Sequence, residues 1–217
     1  MALDAAVRGF SVVLVESHDF AKGTSSRATK LVHGGVRYLA QGNIALVREA
    51  LHERTTLLRN APHLAQPLAF VMPSYRCWES PFYGVGLKMY DALAGSAGLG
   101  ATEFLGVQRT LQCLPTARPD GLKGGVKYWD GQFDDARLAL ALARTAARHG
   151  ALLVNYCAAR SLVHDAGKVS GVLCEDTETG KAYKIRARCV VNATGVWVDA
   201  LRQQDSEATH RPVRPIV

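Results

Sequence analysis

The five cysteines (Cys77, Cys113, Cys157, Cys174 and Cys189) lie far apart, form no C-x-x-C pair and are odd in number. That spacing argues against a disulfide framework and a zinc site, and suits a reduced, cytosolic protein. Cys157, Cys174 and Cys189 stand among apolar residues and are expected as small buried side chains. No uncharged apolar run approaches the roughly 20 residues that a membrane-crossing helix needs. The N-terminus lacks a charged stretch followed by an apolar block, so no signal peptide is read there, and any membrane contact is expected from the surface. Lys and Arg outnumber Asp and Glu by 26 to 19, giving a net charge of +7, yet they form no basic run. A nucleic-acid partner is therefore disfavoured, and an anionic small molecule suits the charge with fewer assumptions. His52, His63, His149, His164 and His210 show no ligand spacing, and Walker loops, nucleophile elbows and internal repeats are missing. What remains is ordinary globular composition, 48% hydrophobic and 21% charged over 217 residues, enough for one large domain or one and a half.

The chain opens with a helix-like MALDAAV (Met1 to Val7), a break at Arg8-Gly9, and the β-branched run FSVVLV (Phe10 to Val15) closing on Glu16. A short apolar run without alternation suits a parallel strand covered on both faces. Helix, glycine turn, strand and acid make the second half of a βαβ unit. Residues 17–29 read as a polar loop. Ile44 to Asn60 predicts a long amphipathic helix with Leu46, Ala50, Leu57 and Leu58 on its apolar face, stopped by Pro62. Residues 61–130, richer in Pro, Gly and aromatics, read as an inserted segment with a strand-like LAFVMP (Leu68 to Pro73) and an amphipathic GVGLKMYDALAG. Asp134-Asp135 are placed to cap a helix over Ala136 to His149, which Gly150 ends; two adjacent carboxylates without a third ligand do not suggest a metal. ALLVNYC reads as a core strand, residues 160–187 as an antiparallel meander turning near Gly167, and Cys189 to Val191 as a very apolar strand. Residues 201–217, with Arg, His and Pro and no amphipathic period, read as a truncated C-terminal segment.

The strongest chemical signal is Thr24 to Leu39, TSSRATKLVHGGVRYL. Hydroxyl caps alone explain Ser25 or Ser26, but not Lys30, His33 and Arg37 gathered on one turn. Gly34-Gly35 lets backbone approach a planar ligand where a side chain would collide. Glu16 is placed as the acid that takes ribose hydroxyls of an adenine dinucleotide. The glycine-rich phosphate loop belongs about 20 residues ahead of such an acid, and Glu16 has 15 residues before it, so that loop and the first strand are expected to fall ahead of Met1. Ala193-Thr194-Gly195 follows the apolar strand as a second candidate approach to the same ligand, and Trp197 is expected as packing.

The segment resembles the FAD-dependent, respiratory glycerol-3-phosphate dehydrogenase family, following its T-S-S-x-x-(S/T)-K-L-x-H-G-G-x-R-Y-L signature almost position by position. The likeness continues in F-D-D-A-R-L at Phe133 to Leu138, in N-A-T-G-V-W-V at Asn192 to Val198 and in the VLVE start. It implies an α/β, Rossmann-like FAD-binding core with a parallel sheet lacking its first strand, discontinuous over 1–60 and 131–200, plus part of an α+β substrate or cap domain over 61–130. By the resemblance Glu16 binds the adenosine ribose, while Thr24, Ser25, Thr29, Lys30 and Leu31 lie along the pyrophosphate and flavin. His33 is a candidate base or part of the substrate pocket. Arg37 grips the substrate phosphate with Tyr38 beside it, and Ala193, Thr194 and Gly195 return to the cofactor. The implied reaction is oxidation of sn-glycerol 3-phosphate to dihydroxyacetone phosphate, with electrons leaving to a quinone from a position peripheral to the inner face of the cell membrane. A flavin amine or amino-acid oxidase shares the strand-acid and A-T-G frame but gives no reason for H-G-G-x-R-Y, and a non-catalytic remnant has the same sequence. The missing strand leaves a sheet edge that invites a homodimer, and the chain on its own is expected to have no turnover.

Overall fold

The computed structural model describes residues 1–39 and 41–203, apart from the Arg37 side chain. The tail expected over 201–217 lies outside the described residues from 204 onward. In chain order the first elements are α1 (Ala2–Val7), β1 (Val13–Val15), α2 (Thr24–Arg27), β2 (Leu31–Val32), α3 (Val36–Leu39) and α4 (Ile44–Asn60). There follow β3 (Ala65–Ser74), α5 (Glu79–Ala94), β4 (Glu103–Leu105), α6 (Val107–Cys113), β5 (Gly124–Phe133) and α7 (Asp135–Arg148). The chain closes on β6 (Leu152–Val154), β7 (Cys157–Asp165), β8 (Lys168–Asp176), β9 (Ala182–Arg186) and α8 (Val198–Arg202).

These elements fold as two compact units, one of residues 1–27 with the described residues from 139 onward, the other of residues 28–138. Helix α4 packs on α5, and β5 joins the antiparallel sheet rather than the parallel one.

In the first unit β1 pairs in parallel with β6, Val13 opposite Leu152 and Val15 opposite Val154. The ladder is shorter than the run Phe10 to Val15, since β6 offers three residues to pair with. Nor is the strand covered on both faces: Val13 and Leu152 are exposed, and burial is confined to the side of Ala6, Ala146 and Ala151 with Leu3, Val12 and Leu153. The meander expected over 160–187 forms as β7-β8-β9, its first hairpin turning on Ala166 and Gly167, both at positive φ as a two-residue hairpin loop demands. Cys157, Val172 and Cys174 form a second small core, in which burial pushes the Cys174 thiol up to about 11. Both are the inert apolar fillers expected, whereas Cys189 is exposed. The strand expected at Cys189 to Val191 does not form; the segment finds no ladder partner among the described residues, and Val191 is exposed.

In the second unit β5 is the central strand. It pairs along its whole length with β3, from Ala65 opposite Phe133 to Ser74 opposite Gly124. Its other edge carries β4 at Gly125–Lys127 and β2 at Gly131–Gln132. Helix α4 has the predicted limits, started by the Asn43 side chain accepting from Leu46 N–H and stopped just ahead of Pro62. Its buried stripe is Val47, Leu51 and Arg54, a quarter-turn from the expected Leu46, Ala50, Leu57 and Leu58, which are half-buried. The stripe meets Tyr90 and Ala94 of α5, with Val36 and Leu39 of α3 at its margin. Asp134 caps α7 as expected, its Oδ1 accepting from Arg137 N–H at 3.1 Å.

Candidate functional site

The sequence-predicted site residues divide between the units. Glu16, Thr24, Ser25 and the Ala193-Thr194-Gly195 turn belong to the first, and Thr29, Lys30, Leu31, His33, Gly34, Gly35, Arg37 and Tyr38 to the second.

In the first unit Glu16 stands where β1 ends, its N–H donating to Val154 O and its carbonyl accepting from Cys157 N–H. The turn after it folds back on the side chain, so that Oε1 accepts from His18 N–H at 3.0 Å and from the Ser17 hydroxyl at 3.3 Å. Oε2 has no hydrogen bond among the described residues. A carboxylate with one oxygen held by its own loop and the other unoccupied suits the paired hydroxyls of a ribose. Thr24, exposed, and Ser25, half-buried, begin the single turn α2. Asn192 fastens the Ala-Thr-Gly turn: its Oδ1 accepts from Thr194 N–H and from the Thr194 hydroxyl, and its Nδ2 donates to Val198 O at 2.9 Å. Gly195 adopts φ +61°, and a Cβ there would meet nothing within 4 Å, so backbone is bare on that side. Trp197 packs where a side chain at Gly23 would go, 3.5 Å from that position, which brings the Ala-Thr-Gly turn alongside the residue preceding Thr24.

In the second unit Lys30 takes φ +60°, uncommon for a side chain of its size, and its carbonyl accepts from Phe133 N–H as the chain enters β2. Leu31 and Val32 are held by the ladder with β5, and the chain then turns at His33-Gly34-Gly35 into α3. Gly34 is buried because a methyl there would overlap the Tyr90 hydroxyl and come within 2.7 Å of Leu51 Cδ2. Gly35 has φ +82°, with the Tyr38 ring against it. Thr29 and Lys30 are exposed, Tyr38 is partly exposed, and Arg37 lies on α3 with its side chain outside the described residues.

Beneath this turn lies a buried polar network that the motifs of the sequence did not include. Asp130 of β5, 1% exposed, accepts through Oδ1 from Gly34 N–H at 3.1 Å, Gly131 N–H at 3.0 Å and Arg54 Nη1 at 3.0 Å. Its Oδ2 lies 3.3 Å from Gly34 N and 3.7 Å from Nδ1 of His33, whose side chain is 55% exposed. Arg54, also 1% exposed, donates further to the Tyr90 hydroxyl and to Ala97 O, leaving Nε unpartnered. Burial, then the Asp130 charge, holds the Tyr90 phenol well above its ordinary value. The signal that could have found the network is a charge on the stripe 47-51-54 of α4 together with an acid inside the strand YWDGQF. Buried charges of this kind occur in pairs. Among the described residues no group of three acids, cysteines or histidines is arranged to hold a metal.

The chain matches the FAD dependent oxidoreductase family over residues 1–217. It is 48% identical over 217 residues to the mitochondrial glycerol-3-phosphate dehydrogenase of Rattus norvegicus, covering 94% of this chain and 30% of that protein. Among solved structures it is similar to the glycerol-3-phosphate dehydrogenase of Bacillus halodurans complexed with FAD, at 38% identity and a TM-score of 0.70, over 94% of this chain and 33% of that one. L-proline dehydrogenase from P. horikoshii superposes with the same TM-score at 18% identity, a likeness of fold alone. The chain spans about 30% of the length of the curated mammalian relatives it matches.

Proposed function

The chain belongs to the FAD dependent oxidoreductase family, and from that membership we propose that it is part of a flavoprotein that oxidises sn-glycerol 3-phosphate to dihydroxyacetone phosphate. The observation that carries this reading is the T-S-S…H-G-G-x-R-Y segment, in which an imidazole, a tightly packed glycine turn and the position of Arg37 follow one another within a few residues. Its support from similarity is the 48% identity to a glycerol-3-phosphate dehydrogenase over nearly the whole chain.

On this reading Glu16 takes the adenosine ribose through its unoccupied Oε2. Thr24, Ser25 and the turn Ala193-Thr194-Gly195 line the pyrophosphate and ribityl chain, and Thr29, Lys30, Leu31, Gly34 and Gly35 run beside the flavin. The flavin, when bound, supplies the two-electron redox chemistry. His33 takes the C2 hydroxyl proton, the step that turning a secondary alcohol into a ketone asks of a base. Arg37 grips the substrate phosphate through a bidentate fork, with Tyr38 beside it. Electrons leave to a quinone, and the protein works from a membrane surface, peripheral to the inner face of the cell membrane and with a homodimer as its assembly. Consistent with a surface position, no helix among the described residues is long and apolar enough to cross a membrane.

The test is the visible spectrum of the purified chain after incubation with excess FAD and gel filtration. Flavin absorbance is expected to be retained, to fall on Glu16→Ala, and to bleach with glycerol 3-phosphate when the family's remaining sequence is supplied. A colourless protein in both settings would overturn the cofactor assignment.

A further inference from the structure

Asp130 is a buried acid held by several donors, and the proposed reaction gives it no role. It is buried, it is held from three sides, and its contacts are unequally shared between its two oxygens. Oδ1 takes three donors: the amides of Gly34 and Gly131 and the guanidinium of Arg54. Oδ2 is left with a longer approach from Gly34 N and with the ring nitrogen Nδ1 of His33. Oδ2 thus faces the imidazole already singled out as the base.

We infer that Asp130 is the positioning residue of His33, fixing both the turn that carries the ring and the tautomer in which it acts. Two contacts make the case. Through Gly34 N–H the carboxylate anchors the residue next to His33, and Gly34 cannot move inward because the Tyr90 hydroxyl fills the space a side chain would need. Through Oδ2 it faces Nδ1, where a lone pair would be repelled by the carboxylate and an N–H is attracted. The ring proton therefore belongs on Nδ1, which leaves the Nε2 lone pair free to accept a proton. The 3.7 Å separation is about half an ångström longer than a hydrogen bond, and contacts of this kind shorten when ligand closes the site. Arg54 acts one step further back, holding Asp130 by an ion pair at 3.0 Å in which both partners are 1% exposed. That His33 serves as a base rests on the proposed function; that its proton sits on Nδ1 does not.

Long-range proton-nitrogen correlation spectra of the ¹⁵N-labelled 217-residue chain measure the tautomer directly. They should be recorded about two units above the ordinary histidine pKa of about 6.5, with the His33 signals assigned by their loss in His33→Gln. The expected result is the pyridine-type nitrogen of His33 at Nε2, while exposed histidines such as His52 and His149 carry it at Nδ1. In Asp130→Asn the His33 pattern is expected to revert to that of the exposed rings. Should that variant fail to fold around an unpaired Arg54, Arg54→Met with Asp130→Asn removes both charges at once and serves in its place. A wild-type His33 with its proton on Nε2 overturns the proposal whatever the variants do, as does an Nδ1 proton retained in a folded Asp130→Asn chain. Flavin retention read on the same sample separates the two ideas. An Nδ1–H ring in a protein that stays colourless also when the family's remaining sequence is supplied upholds the positioning role and overturns the cofactor assignment, and an Nε2–H ring in a yellow one does the reverse.

Discussion

In the unit of residues 28–138 the His-Gly-Gly turn rests on groups brought from far along the chain: Asp130 reaches Gly34 across 96 positions, Arg54 reaches Asp130 across 76, and Tyr90 is 36 from Arg54. In the other unit the backbone of Glu16 is tied to Val154 and Cys157, but the side-chain bonds that shape the two turns come from neighbours, His18 N–H two residues on from Glu16 and Asn192 two residues ahead of Thr194. The difference sets what each site costs to disturb. A turn held by distant buried charges is part of the core that supports it, so loss of the turn and loss of the fold go together. A turn stapled by its own side chains is a detachable detail on a strand end, and its geometry can fail while the strands around it persist.

The largest expected effect tests the first half of that contrast. Asp130→Ala strands Arg54 as an unpaired buried cation and should destabilise the unit by about 3–5 kcal/mol, read as a lower urea midpoint of tryptophan fluorescence in a chain whose Trp78 and Trp197 are replaced by Phe so that Trp129 alone reports. An effect below about 1 kcal/mol would mean that water reaches Arg54 and that the network is not integral to the core.

Of intermediate size, Tyr90→Phe removes the hydroxyl that Arg54 Nη1 donates to and should cost about 1–3 kcal/mol. It also sharpens the comparison through pH. The folded-state value of Tyr90 is raised, first by burial and then by Asp130, above the ordinary 10.0. The folded chain therefore holds the phenol proton at pH values where the unfolded chain has released it. Stability from this group is complete below about pH 10 and declines as the pH rises from there toward the raised value. Wild-type stability should fall over that alkaline range, and the fall should be shallower in Tyr90→Phe.

The smallest effect belongs to the locally stapled turn. Asn192→Ala deletes bonds that span a few residues near the surface and should change global stability by less than about 1 kcal/mol. Flavin retention should fall nonetheless. Equal losses for Asn192→Ala and Asp130→Ala would erase the distinction between the two kinds of support.

What the sequence disclosed follows the same line. The limits of α4 were legible because Asn43 and Pro62 act on adjacent backbone, and the cap at Asp134 and the hairpin at Ala166-Gly167 are equally local. The H-G-G segment was legible as a motif. Its foundation was not, because a buried Arg on α4 looks like a surface charge until its partner, many residues away, is known. The buried face of α4, Val47, Leu51 and Arg54, differs from the expected Leu46, Ala50, Leu57 and Leu58 because it includes a charge that pairs far along the chain. Strand β5 escaped notice since GGVKYWDGQF neither alternates nor runs apolar: both its edges are occupied, and its glycines answer to close neighbours, as at Gly131, where Val32 fills the place of a side chain. The apolar Cys189 to Val191 had the residues of a strand but no neighbouring ladder to join, and pairing, not propensity, decides such cases.

One feature of the sheet bears on how the site moves. Strand β5 is gripped along one side without interruption, whereas on the other its partners stop at Lys127 and resume at Gly131. Tyr128, Trp129 and Asp130 therefore lie on the span between two stretches of ladder on that side, held by the rungs with β3 and by their side chains, Asp130 by Gly34 and Arg54. A small flexing of that span alters the distance from the carboxylate to the imidazole without breaking a rung of the long ladder with β3.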